Sequence, residues 1–250
     1  MVFVGVFAGI TFGGYAHNLG GMYDTMQADD ENGANLADVW IDNRSALWTP
    51  EEVNTFCTAL ETAWDSSSVA QSLDSCEGRT VTQGAMFHTN DTGQHIINSL
   101  WHGIAEGANA DRVWMPEGHS EGRTAVAADE IVIDAHVTEA LELSLGDTVS
   151  IGAGNATAEF TIVGTGYHPL HVLFAPEGEL FPSEPGQYVV GYLSDAGMAR
   201  LTGEVLGASN MILLDVEGTP SFDLPDTSED EGDEIDDVKE LVDAALGEAA

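Results

Sequence analysis

Apolar residues along this chain recur in three patterns: an unbroken run at the start, helical stripes, and two-residue alternation. The first 16 residues, MVFVGVFAGITFGGYA, are almost wholly apolar, and nothing before Asp24 carries a fixed charge. As a helix, residues 1–23 would reach roughly 35 Å, enough to cross a bilayer core. A secretory signal would open on basic residues, which this start lacks, and a buried core helix is the other alternative. The reading adopted is a membrane helix over 1–23, truncated at its basic cytoplasmic end. A polar linker, DTMQADDENGAN over 24–35, follows. Leu36 to Asp42 alternates and predicts a strand. Thr49-Pro50-Glu51-Glu52 predicts a helix start, with Thr as cap, Pro in the first turn and Glu52 completing a capping box. Val53, Phe56, Cys57, Leu60 and Trp64 then form one apolar stripe. Glu77 to Phe87 predicts a strand. Ile96, Ile97, Leu100, Trp101 and Ile104 fit a short amphipathic helix, and Arg112 to Met115 a strand.

Asp129 to Gly166 is the most informative stretch. Ile131, Val132 and Ile133 form a short apolar strand ending at Asp134, and a helix follows that is expected to stop at Gly146. Thr148 to Ile151 is a strand, Gly152 to Asn155 a turn, and Ala158, Phe160 and Ile162 mark one face of the return strand. Tyr188 to Leu193 is a further strand, Ser194 caps a helix that Gly203 ends, and Asn210 to Val216 is the last strand. Residues 218–234 are acidic and solvated, and Val238, Leu241, Val242 and Ala245 mark a final amphipathic helix.

The order strand, helix, Gly146-Asp147, hairpin resembles the external domain of MacB/FtsX-type ABC transporter permeases, the MacB-like periplasmic core domain. Asp38-Val39-Trp40, Glu121-Gly122-Arg123 and the run from Tyr188 to Asp215 stand where that family carries similar segments, so the likeness covers most of residues 1–217. It implies an α+β fold of two mixed subdomains after an N-terminal membrane helix. A porter-like βαβ half would use 24–87 and 185–217, a β-rich subdomain over 88–184 would be inserted into it, and 218–250 would be an acidic linker and amphipathic helix. It also implies a mechanical role at the cell membrane, with the bulk of the chain extracellular. A partner ABC ATPase drives the motion, a second permease copy completes a dimer, and the domain relays movement to an exported substrate or external partner. No covalent chemistry and no cofactor are expected. The competing readings are a membrane-anchored extracellular ligand-binding module without an ATPase, and a metal-dependent hydrolase.

Charge narrows the setting. Asp and Glu number 43 against six Lys and Arg, a net charge of −37. Such a surface repels nucleic acid and anionic lipid, and it repels itself in dilute buffer. Concentrated salt screens that repulsion, so the balance reads as halophilic and, with the family resemblance, haloarchaeal.

Candidate chemistry is sparse. There is no Walker-type phosphate loop, no G-x-S-x-G and no H-E-x-x-H. His88, His95 and His102 recur every seven residues, with His95 and His102 placed on one helix face, and His168 and His171 flank Pro169 and Leu170. Spacing alone assigns them no metal. Cys57 and Cys76 are too far apart in sequence for a zinc pair. In an extracellular domain of the implied kind they form a disulfide that pins the helix to the following strand; two buried free thiols are the alternative. Asn43, Asn90 and Asn155 head N-x-[ST] sequons in expected loops. Tyr167, Leu170, Val172, Leu173, Phe174 and Phe181 make the segment over 167–182 an apolar contact loop, packed either on a partner or on its own domain.

Overall fold

The computed structural model describes residues 33–43, 46–69, 71–90, 93–167, 183–184, 186–217 and 234–249. The expected membrane helix, the acidic linker, and Leu170, Val172, Leu173, Phe174 and Phe181 of the contact loop lie outside these residues. No helix among the described residues is long and apolar enough to cross a membrane.

The fold is α+β, built on an eight-stranded mixed sheet. In chain order its elements are β1 (Val39–Asp42), α1 (Pro50–Asp65), β2 (Leu73–Asn90), β3 (Gly93–Ile104), β4 (Glu130–Asp134), α2 (Ala135–Ala140), β5 (Thr148–Ala153), β6 (Ala156–Gly166), β7 (Tyr188–Ser194), α3 (Asp195–Thr202), β8 (Met211–Val216) and α4 (Glu234–Ala249). The sheet runs β1-β8-β2-β3-β7-β4-β6-β5, and β5 returns to pair with β2. That last pairing closes β2, β3, β7, β4, β6 and β5 into a six-stranded barrel. The lower half of β2, up to Arg79, pairs instead with β8 in a three-stranded base with β1.

The base is built by alternation in β8. Ile212, Leu214 and Val216 face α1 and α4, packing against Val53, Phe56, Leu60, Trp64, Val238 and Val242. Leu213 faces the opposite side with Ala37 and Ala110. Thr49 caps α1 as its sequence predicts: its side chain accepts from the Glu52 amide, and the Glu52 carboxylate accepts from the Thr49 amide at 2.7 Å. The barrel core gathers Met86, Ile97, Trp101, Ile131, Ile133, Ile151, Phe160 and Val190, and α3 packs across four of its strands with Met198 and Leu201 buried.

Five expectations differ from the structure. Residues 96–104 form strand β3, not a helix. The buried positions Ile97, Ser99 and Trp101 alternate, Ile96 is 70% exposed, and β3 gains a partner on each side, which a lone helical stripe cannot match. The helix after Asp134 stops at Leu141, and Gly146 (φ +90) serves the turn into β5 instead. Arg112 to Met115 makes only an isolated bridge, Trp114 to Tyr167. Of the expected polar linker, Gly33, Ala34 and Asn35 are described, and they are buried. The division between base and barrel falls at Arg79–Thr80, and β7, read from sequence with the first subdomain, hydrogen-bonds β3 and β4 of the barrel. Strand β2 runs through that division unbroken, with Gly78 beside it extended and packed against Ser209 and Val53, so the glycine there marks close packing and not a turn.

Candidate functional site

Arg79 stands at the last base pairing of β2, one residue before the barrel begins. It is 2% exposed. Its guanidinium donates to the carbonyls of Ala110 (2.8 Å) and Asp111 (3.1 Å), fixing the loop that leaves β3. Glu77, two residues earlier on the same face of β2, takes the Asn109 and Ala110 amides on one carboxylate oxygen at 2.7 and 2.9 Å. The 105–112 loop is thus held from below by a cation and an anion on one strand.

The incoming segment closes over the same loop. The Asp111 amide donates to Asn35 O and the Arg112 amide to Ala34 O, both at 2.7 Å. The Asp111 carboxylate accepts from the Ala37 amide (2.9 Å) and from Trp40 Nε1 (2.8 Å). Asn35 and Asn109 each donate to Asp215 Oδ2, at 2.8 and 2.9 Å, which binds the loop to β8. Asn35 and Asp111 both have positive φ, +49 and +45, a conformation that Asn and Asp tolerate better than most residues. Burial pushes the Asp111 carboxyl up; its hydrogen bonds to Ala37 and Trp40, and Arg79 nearby, pull it back down. Burial pulls the Arg79 guanidinium down, and Asp111, Glu77 and Asp195 oppose that. Four chain segments therefore meet at one polar joint: the incoming segment 33–40, β2, the 105–112 loop and β8.

Incoming and outgoing ends of the body lie side by side there. The Asp38 amide donates to Leu214 O, and the Val216 amide donates to the Asp38 carboxylate, both at 2.9 Å. Burial raises the Asp38 carboxyl to about 6, with Asp215 and Asp74 adding to the rise and the Val216 amide opposing it. A cleft of about 410 Å³ opens beside the joint, lined by Gly33, Ile104, Arg112, Val113, Tyr192 and Leu193 among others.

A second polar group sits where β4 and β6 end. Asp134, buried, caps α2 and hydrogen-bonds His136 Nδ1 at 2.9 Å. Burial raises the Asp134 carboxyl, and the bond to Asp134 raises His136. The Tyr167 ring lies edge-on to His136, 5.2 Å between centroids, and its hydroxyl donates to His119 O. His119, His136 and Tyr167 line an open cleft of about 490 Å³. The arrangement holds one imidazole in place.

The residues singled out from sequence scatter over the molecule. Cys57 on α1 and Cys76 on β2 are disulfide-bonded. Asn155 is exposed at the β5–β6 turn, Asn43 is tied by its amide to Asn210 O and by its side chain to the Ala46 amide, and Asn90 ends β2. His168 and His171 lie outside the described residues. His95 and His102 fall on opposite faces of β3 instead of one helix face, and His102 is buried beside Tyr192. His88 and His95 are direct cross-strand partners. No three metal-ligating side chains converge among the described residues. The polar joint itself went unread. The available signal was Arg79 inside an otherwise plain strand, in a chain with six basic residues.

No protein-family model matches the chain, and no curated protein does. Among solved structures it is similar to the periplasmic region of MacB from Actinobacillus actinomycetemcomitans, at 13% identity over 84% of this chain and 83% of that one, with a TM-score of 0.44. It is also similar to the extracellular domain of the noncanonic ABC-type transporter YknZ from Gram-positive bacteria, at 15% identity over 82% and 87%, with a TM-score of 0.38.

Proposed function

We propose that this chain is the extracellular domain of an ABC transporter permease of the MacB/FtsX kind. It relays ATP-driven motion from a partner ATPase in the cell membrane to an exported substrate or an external partner. The observation that carries the reading is the adjacency of the incoming and outgoing strands. β1 and β8 are antiparallel neighbours, and Asp38 bonds both Leu214 and Val216. A body grafted between two consecutive membrane segments needs its two connections close together. The polar joint adds a second support: displacement of segment 33–40 acts at once on β8 and on the loop that leaves barrel strand β3. On this reading the role is mechanical, without covalent chemistry or cofactor, the working transporter holds two copies, and the acidic surface belongs to a salt-adapted cell.

The test is purification of the chain from detergent-solubilised source membranes in high salt. Spin labels go at Thr58 on α1 and Asn155 at the β5–β6 turn, both exposed. An ATP-binding-cassette subunit should co-purify, and ATP with vanadate should change the label-to-label distance distribution. A chain found at the membrane without an ATPase favours the alternative, a ligand-binding module using the cleft of about 410 Å³ at the joint. A chain absent from the membrane fraction sinks both.

A further inference from the structure

The fold treats the N-x-[ST] sequons of this chain unequally. Asn155-Ala156-Thr157 begins at the turn between β5 and β6. Gly154 and Asn155 form that turn, with Gly154 in the left-handed region (φ +56), and all three sequon residues are exposed. Space around the turn is open: a Cβ built on Gly154 would meet nothing within 4 Å. Among the described residues the Asn155 carboxamide has no hydrogen-bond partner.

Thr157 completes the sequon on the same open surface. Ala158, Phe160 and Ile162 alternate into the barrel, so Thr157 stands on its outer wall. Its cross-strand partner is Gly152, which offers no side chain to cover it. Asn43 differs. It is half-buried, its backbone amide donates to Asn210 O at 2.8 Å, and its side-chain oxygen accepts from the Ala46 amide at 3.3 Å, which folds the carboxamide back onto its own loop. Asn90 closes β2, and Asp91 and Thr92 of its sequon lie outside the described residues.

We infer that Asn155 is a site of N-glycosylation and that Asn43 is not. The donor is a sugar chain carried on a lipid phosphate. Asn155 Nδ2 forms a bond to the anomeric carbon of the first sugar, and the bond from that carbon to the phosphate oxygen breaks. The lipid phosphate leaves with the electron pair, and the amide nitrogen gives up one proton to the transferring enzyme. The product is a bulky, hydrated group on the molecular surface. The turn runs on past Ala153↔Gly84, the last β5–β2 pair, and none of its residues lines the cleft at the polar joint or the cleft where β4 and β6 end. A sugar chain at Asn155 therefore leaves both clefts open. This rests on the extracellular reading, because a sequon is used only on a secreted face.

The full chain is produced in its source cells with Glu204→Cys, at an exposed loop position away from the turn. Intact cells are treated with a membrane-impermeant maleimide, and the purified chain is digested for peptide mass spectrometry. The maleimide reports whether position 204 faces the outside, independently of any sugar. Label at 204 and a sugar-derived mass on the Asn155 peptide are expected, with the Asn43 peptide at its unmodified mass. Thr157→Ala should abolish the added mass, and Thr157→Ser should keep it. A labelled chain with bare Asn155 overturns the glycosylation inference and leaves the extracellular reading standing. An unlabelled chain with bare Asn155 overturns both. Sugar on Asn43, or sugar on Asn155 that survives Thr157→Ala, overturns the assignment of the site.

Discussion

Four arginines fall within the described residues, and each one clasps something specific. Arg79 holds the 105–112 loop, Arg112 reaches Gly33 O, Arg123 pairs with Glu130, and Arg200 lies over the Phe160 ring with a bond to Glu159 O. Arg123 is held in place by glycine. A Cβ at Gly122 (φ +79) would fall 2.2 Å from Val163 O, and one at Gly164 the same distance from Arg123 O, so the two backbones touch. Glu130, bonded first to Arg123 and then to the Ala127 and Val126 amides, is held down to about 2. Cations are kept where a carboxylate cannot substitute. Asp38 is the opposite case, an acid raised to about 6 at the junction of the two chain ends. A carboxyl raised in the folded state takes up a proton on folding. Its contribution is complete below the unfolded value, near 3.8, and is lost as pH rises through about 6. Stability in constant high salt should therefore fall between about pH 4 and pH 6.5 and level off above that. Asp38→Asn keeps an oxygen for the Val216 amide, so the variant should melt higher than the parent at pH 7.5 and show a shallower slope. Parallel melting curves across that range for parent and variant would remove Asp38 from the account. Asp38 was legible only as part of a strand, because its shift comes chiefly from burial in the folded body, with Asp215 and Asp74, both distant in sequence, adding to it.

Elements were legible where local chemistry and tertiary demand agree. Helix α1 carries its cap, its first-turn proline and its stripe in consecutive residues, and all of them appear as the sequence predicts. The β5–β6 hairpin and α3, stopped by Gly203 in the left-handed conformation, were equally plain. β3 was misread because Ile96, Ile97, Leu100 and Trp101 satisfy a helical period by chance, while the two-residue period that governs it runs through His95, Ile97, Ser99 and Trp101. Ser99 is buried with its hydroxyl bonded to Ile97 O, so a core position looked polar. The disulfide acts at this same level. It joins the buried face of α1 to β2 across 19 residues, and it is the covalent tie between helix layer and base sheet. Loop-closure entropy for a span of this size gives roughly 3 kcal/mol of stabilisation. A Cys57→Ala, Cys76→Ala variant should unfold at lower denaturant concentration by about that free energy, with the barrel strands and their register kept. An unchanged midpoint would mean that packing of Phe56, Leu60 and Trp64 under α4 already fixes the helix.

At the scale of the molecule the question is what opposes a net charge of −37. The clasping arginines are committed to internal partners, so they leave the surface acids facing one another. The apolar interior is divided between a barrel core and a thinner layer under α1 and α4, and these meet at a joint whose polar bonds surround only the small cluster of Ala37, Ala110 and Leu213. Repulsion between base and barrel therefore acts across the place with the least apolar burial. Screening length falls from about 10 Å at 0.1 M salt to about 3 Å at 1 M, which is shorter than the spacing of most surface charges. The melting temperature should accordingly climb over the first molar of added KCl and level off beyond it. NaCl should act almost equally, since screening depends on ionic strength and not on the cation. Protection of backbone amides against hydrogen exchange should respond unevenly: residues 34–37 and 109–112 at the joint should gain most from added salt, while Ile131 to Ile133 in the barrel should change least. Uniform protection at low salt, with no preference for the joint, would show that base and barrel are one cooperative unit held against charge by their cores alone. The joint would then be a fixed weld and not the place where motion of the incoming segment is passed on.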